Sequence, residues 1–150
     1  MQNIFLHPEK EALINRINQL TSTTQPHWGK MNVAQMLAHC NIVPFELIYD
    51  PTRPRPNVFM RLMLRLFARP NAVGNKPYKK NSPTGSDFKI TTEKDFLTER
   101  QRLIDQINKT HELGVDYFLD KESPFGKLTK NEWIGLFYSH LNHHLTQFGV

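Results

Sequence analysis

Four stretches of this 150-residue chain carry apolar side chains at the spacing of a helix face, and that periodicity points to packed helices. The clearest stretch is the last. Thr129-Lys130-Asn131-Glu132 has the form of a capping box, in which the Thr hydroxyl and the Glu carboxylate each satisfy a free N–H at a helix start. Trp133, Leu136, Phe137, His140, His144 and Gln147 then share one side, and Gly149 supplies a stop. The first stretch, about Pro8 to Leu20, opens with a proline suited to a first turn. It sets Leu13, Ile14, Ile17 and Leu20 on one face, and the run Thr21 to Pro26 ends it. The second, about Val33 to Tyr49, has Asn32 as its N-cap and Val33, Met36, Leu37, Cys40, Val43 and Leu47 as its apolar positions. Pro44 removes a backbone donor inside it and predicts a kink near the middle. The third runs from about Thr92 to Thr110, capped by Thr91 or Thr92, with Phe96, Leu103, Ile104 and Ile107 facing inward. No Asn-Gly or Asp-Gly turn joins alternating runs, so no strand is expected. The reading is all-α, a single domain over residues 1–150.

Residues 51–82 break this pattern. They hold Pro51, Pro54, Pro56, Pro70 and Pro77, eight basic side chains and no acidic one. Within them Val58 to Phe67 reads as a short helix, and the whole reads as a crossover that lets neighbouring helices run parallel. Arg61, Arg65 and Arg69 form a basic face, with Phe59, Leu62, Met63, Leu66 and Phe67 on the other side. Three readings compete: an amphipathic helix packed over the other helices, an interfacial membrane helix, and an anion-binding lid using Arg61 and Arg65 near the functional site.

Composition narrows the class of function. No apolar run approaches the roughly 20 residues of a membrane helix, and the N-terminal residues do not read as a signal peptide. A lone cysteine, Cys40, has no intrachain disulfide partner, which suits a reducing compartment, so a cytoplasmic location is expected. The formal charge of +5 fits ordinary solubility or an anionic partner. No nucleic-acid-binding module is present, and nucleic acid is not expected as a partner. There is also no phosphate-cradling glycine loop, nucleophile elbow or paired-cysteine zinc pattern.

The chemistry concentrates in His140-Leu141-Asn142-His143-His144. Residues four apart lie one turn apart on the same helix face, so His140 and His144 can aim two imidazoles at one point. Neutral imidazole is a good ligand for zinc, nickel, copper and iron. Spacing alone leaves His143 as an alternative to His144. His39, mid-helix beside Met36 and Cys40, is the best third ligand, because mid-helix positions meet at the core of an antiparallel bundle. The competing explanation for each histidine is a hydrogen-bonded core residue. Gln147, Gln35, Glu46 and Asn142 are candidates to orient the rings. Cys40 reads as a small buried apolar residue or as a soft ligand or nucleophile. His7, His27 and His111 read as surface or loop residues.

Trp28-Gly29-Lys30-Met31-Asn32-Val33-Ala34-Gln35-Met36-Leu37-Ala38-His39-Cys40 resembles the second-helix signature of an uncharacterised branch of the DinB/YfiT-like superfamily. Pro124-Phe125-Gly126-Lys127-Leu128-Thr129, Trp133 and the run from His140 to Val150 are similar to that branch's C-terminal signature. His140, His144 and Gln147 also match the superfamily's last-helix pattern of His, three residues, His, two residues, Gln. The resemblance spans most of the chain and is weakest between Pro51 and Lys80. It implies a four-helix bundle with a long basic crossover between its second and third helices. It also implies a three-histidine site for a divalent metal ion, with His39, His140 and His144 as ligands and His143 either supporting them from behind or at the surface. One position departs: the branch often has a histidine just before the Pro-Phe pair, where this chain has Ser123. Three protein ligands leave a coordination position open, the arrangement of catalytic rather than structural sites. The resemblance therefore implies a metal-dependent transferase or hydrolase acting on a small molecule, with a low-molecular-weight thiol as candidate co-substrate. The zinc, nickel, iron and manganese ions all remain candidates. The alternative is a metal- or ligand-binding bundle without turnover, a candidate homodimer or membrane-surface protein.

Overall fold

The computed structural model describes residues 2–53, 56–74, 77–82, 85 and 88–150. It is mostly helical. In chain order come α1 (His7–Gln19), α2 (Val33–Cys40), α3 (Leu47–Tyr49), α4 (Val58–Met63), α5 (Arg69–Ala72), α6 (Phe96–Leu113) and α7 (Lys130–Gln147). A two-stranded antiparallel hairpin, β1 (Glu122–Ser123) and β2 (Gly126–Lys127), precedes α7. Two-residue strands are too short to leave an alternating pattern, which is why the sequence gives no sign of them.

α1 and α2 each pack against both α6 and α7. Between them they bury Leu13, Ile17, Met36, Leu37, Leu103, Ile107, Trp133 and Phe137. Phe5, Phe45 and Phe118 join Phe137 with ring centroids 5.1–5.9 Å apart. Aromatic side chains of this size dominate the energy of a core.

The capping box expected at the start of α7 forms, and Asn32 caps α2 as expected, with Gln35 completing a second box. Thr129 and Glu132 satisfy each other's backbone N–H at the start of α7, and Asn32 and Gln35 do the same for α2. The expected kink also occurs. The helix breaks at Val43 (φ −112°, ψ 119°) before the cis Val43–Pro44 bond, and a π-helical segment, Asn41–Glu46, leads into α3. The break rotates the buried face. Asn41, Pro44, Phe45 and Glu46 turn inward, whereas Val43 and Leu47, expected on the apolar face, are only half-buried. Buried Asn41 donates to the Glu99 carboxylate at 2.8 Å, and buried Glu46 accepts from Arg53 at 2.9 Å and from Arg102, so neither carboxylate is left bare.

α6 begins later than the sequence suggests. Its cap is Asp95, whose side chain accepts from Thr98 N, not Thr91 or Thr92. All three residue types cap well, and Asp95 stands directly before Phe96, the first residue that packs on the core.

The crossover carries α4, a π-helical segment Leu64–Ala68 and α5 as one continuous helical run. Pro54, Arg55 and Lys76 lie outside the described residues. The run is seated opposite to the packed-helix expectation. Arg61 pairs with Glu122 at 2.8 Å, and Arg69 forms two bonds to Glu132 at 2.9 Å. The apolar residues face away: Val58, Phe59, Met60, Leu62, Met63, Leu66 and Phe67 are all exposed. Helical periodicity defines two faces but does not say which one meets the protein. The partners of the two arginines, Glu122 and Glu132, lie far along the chain. Beyond α5 the chain returns to α7, where the Val73 carbonyl approaches Gly135 closely and Ser139 Oγ donates to Gly74 O at 3.2 Å.

Candidate metal centre

α2 and α7 cross where His39, near the end of α2, meets His140 and His144, one turn apart on α7. The three ring centroids lie 4.7–5.0 Å from one another. One ring nitrogen from each residue falls within 4.8 Å of those of the other two.

Hydrogen bonds fix which nitrogen His39 and His144 present. His39 Nδ1 lies 2.9 Å from Phe88 O, a pure acceptor, so Nδ1 carries the proton and Nε2 keeps its lone pair. His144 Nδ1 lies 2.8 Å from Gln147 Oε1. The Gln147 amide is itself oriented, because its Nε2 donates to Trp28 O at 2.6 Å. The oxygen must then face His144, which places the proton on Nδ1 and frees Nε2. His39 Nε2 and His140 Nε2 stand 3.1 Å apart. Two imidazole nitrogens bound ~2.0–2.1 Å from one ion at angles between octahedral and tetrahedral stand roughly 2.9–3.4 Å apart, so this spacing fits a shared ligand pair. His140 Nδ1 is buried and has no hydrogen-bond partner among the described residues.

Electrostatics keep these rings neutral. Burial pushes the His39 pKa below its usual value, against the Phe88 carbonyl, which raises it. Burial, then the nearby His144 and His39, hold His140 well below the ordinary histidine range. Burial and His39 push His144 down to about 3, outweighing the bond to Gln147. A neutral imidazole is the metal-binding form, so no proton needs to leave before a cation binds at pH 7.

The other candidates separate cleanly. His143 is half-buried and is not among the converging nitrogens, its ring standing 5.1 Å from His144, 5.5 Å from Tyr78 and 5.8 Å from Trp28. Gln35 does not reach an imidazole. Its amide oxygen caps Asn32 N at 3.0 Å and its Nε2 points to Thr92 O, so the helix cap takes both ends. Glu46 is held by Arg53 and Arg102, and Asn142 accepts from Arg16 at 2.8 Å. Cys40 is buried, donates to Met36 Sδ at 3.7 Å and has its pKa raised by burial, so it stands as an un-ionised thiol in the core. Ser123 organises the hairpin, accepting from Phe125 N at 3.1 Å and donating to Gly126 O at 2.7 Å. Arg61 is committed to Glu122, and Arg69, one turn beyond Arg65, is committed to Glu132. Glu132 is eight residues before His140, about 12 Å along the helix, so Arg69 stands away from the histidines; Arg65 is exposed. His7 and His27 are exposed, and His111 bonds Ile4 O at 3.2 Å.

Four contributors were not assigned to the site by sequence reasoning, although Trp28 and Gly29 stand in the first motif block. The Phe88 and Trp28 carbonyls are backbone groups whose role depends only on where the chain passes. Gly29 makes room for Gln147: a Cβ at its φ of +88° would stand 2.5 Å from Gln147 Nε2. Tyr78 packs its ring 6.3 Å from His140 and donates to Ala72 O at 2.5 Å, so the end of the crossover, not its basic helix, walls the site.

The family described as Protein of unknown function (DUF1569) matches residues 5–149, and the chain belongs to it. No curated protein and no solved structure matches the chain.

Proposed function

Taking membership of a family of unknown function as the premise, we propose that this chain is a cytoplasmic four-helix bundle of the DinB/YfiT-like type. In this reading one divalent ion is held by Nε2 of His39, His140 and His144, and α1, α2, α6 and α7 are the four helices. The observation that carries the proposal is the fixed tautomer of two of the rings. Phe88 O and Gln147 Oε1 each take the outward N–H and leave lone pairs converging within 4.8 Å. Carbonyl and amide partners of this kind are what orient metal-ligating histidines.

Zinc, nickel, iron and manganese all suit such a donor set, and metal availability in the cell decides among them. Bound at three protein ligands, the ion would acidify a water or thiol in its open position, or polarise a substrate oxygen. The chain's own part is to hold the ligands rigid, to keep them neutral by burial, and to wall the site with Tyr78 and the Phe88 segment. The activity proposed is that of a metal-dependent transferase or hydrolase on a small molecule, with a low-molecular-weight thiol as one candidate co-substrate.

Elemental analysis of untagged protein is the direct test. About one equivalent of metal per chain is expected, lost in His144→Ala and retained in His143→Ala. Equal occupancy in wild type and His144→Ala refutes the site. Turnover in a screen of thiols and ester or amide substrates, abolished by His39→Ala, supports the enzyme. Absence of turnover, with no exchangeable water on the bound ion, favours the non-catalytic alternative.

A further inference from the structure

The helical run from Val58 to Ala72 presents an apolar face that nothing in the described chain covers. Phe59, Leu62, Met63, Leu66 and Phe67 fall at i, i+3, i+4, i+7 and i+8, the full pattern of a core-facing stripe. Yet they are 70%, 52%, 38%, 59% and 67% exposed. Val58 and Met60, at 85% and 48%, extend the stripe. At about 150–250 Å² per large side chain, these seven residues expose on the order of 800 Å². Exposed apolar patches on monomeric proteins seldom exceed roughly 300–600 Å². A standard protein interface buries about 800 Å² from each partner.

We propose that this face is an isologous dimer interface, covered by the same stripe of a second copy of the chain. The area is what one side of a stable dimer requires. The composition fits as well, because interface centres are rich in Phe and Met and poor in charge. Charge placement separates this occupant from a lipid surface. An interfacial helix needs its basic side chains free to meet headgroups. Arg61 and Arg69 are instead paired with Glu122 and Glu132, which leaves Arg65 as the one exposed arginine of that face without an ion pair among the described residues, and the stripe itself is uncharged. An antiparallel pairing about a twofold axis near Met63 would set Phe59 of one copy against Phe67 of the other, as self-complementary surfaces do. This inference is independent of the histidine cluster.

Sedimentation velocity of the full chain from micromolar to high-micromolar concentration tests it, with Phe59→Glu and Leu66→Glu as variants. Both positions are exposed, so the fold survives, and far-UV circular dichroism checks that it does. The expected result is a wild-type dimer whose dissociation constant rises at least tenfold in each variant. Leu97→Glu, on α6 and equally exposed at 62%, should leave the dimer intact. A wild-type chain that stays monomeric throughout, or a dimer indifferent to both variants, overturns the proposal. So does a monomer that sediments with phosphatidylglycerol vesicles in a salt-sensitive, Phe59-dependent way, which would assign the face to a membrane.

Discussion

Gly135→Ala tests whether the crossover is seated on α7 as described. Mid-helix, this substitution normally stabilises by about 1 kcal/mol, because alanine loses less backbone freedom than glycine on folding. Here the new Cβ would stand 2.4 Å from Val73 O and 3.1 Å from Val73 C. Ordinary carbon contacts need roughly 3.5–4.0 Å, so the Val73 peptide must retreat by about 1 Å. Val73 is buried, and its neighbours are tied down: Ser139 Oγ holds Gly74 O at 3.2 Å, and Tyr78 holds Ala72 O at 2.5 Å. Forcing an extra carbon into such a contact costs about 1–3 kcal/mol, and losing the Ser139 bond about 1 kcal/mol more. The expected net change is a destabilisation of about 1–3 kcal/mol, read as a lower urea midpoint at unchanged slope. Trypsin should also cut faster at Lys79 and Lys80. A variant equal to wild type, or about 1 kcal/mol more stable, would show that the segment does not pack there, and the walling of the site by Tyr78 would fall with it.

Gln147→Leu keeps the side-chain volume but removes the acceptor of His144 Nδ1–H and the donor to Trp28 O; metal affinity should fall ~10–100-fold with little change in fold, and unchanged affinity would remove Gln147 from the site. Gly29→Ala should have a similar effect through the clash at Gln147 Nε2, detected as weaker metal binding in the same titration. The buried histidines make the metal-free protein acid-sensitive. The folded pKa of His144, about 3, is below the ordinary 6.5, so the unfolded chain binds more protons in between. Its contribution to stability is therefore complete above pH 6.5 and is lost as pH falls toward 3, by up to ~1.4 kcal/mol per pH unit. Melts in a chelator should show this slope between pH 6.5 and 5, and an equally steep slope in His144→Leu would refute the assignment. Thr129→Ala removes half of the α7 capping box and should cost about 1 kcal/mol in chemical denaturation; no loss would mean that Glu132 and its Arg69 partner hold the helix start unaided.

Much of this architecture was legible because its determinants are local. The N-cap at Asn32, the capping box at Thr129, the break at Pro44 and the one-turn spacing of His140 and His144 each need only neighbours within a few residues. The start of α6 was misplaced because three good capping residues stand close together, and only the packing of Phe96 chooses Asp95. The third histidine is different. His39 is 101 residues from His140, and its mid-helix position alone does not place it at the same point in space. The resemblance at the two motif blocks proposed that pairing, whereas the periodicity of α2 only made it permissible.

What stayed illegible follows from one physical fact: a helical period defines faces but does not orient them. The stripe of Phe59, Leu62, Met63, Leu66 and Phe67 is as regular as the stripe of α7, so pattern alone would bury both. In the observed orientation Arg61 and Arg69 pair with Glu122 and Glu132, which lie 61 and 63 residues away along the chain. Partly exposed ion pairs of this kind contribute only about 0–1 kcal/mol each. Leaving some 800 Å² of apolar surface in water costs about 20 kcal/mol at roughly 25 cal/mol per Å², at least ten times as much as both pairs supply. Two weak pairs therefore do not outweigh the exposed face in an isolated chain. The inverted seating becomes favourable when a second apolar surface takes up the stripe, which is why the oligomeric state and the orientation of this helix stand or fall together.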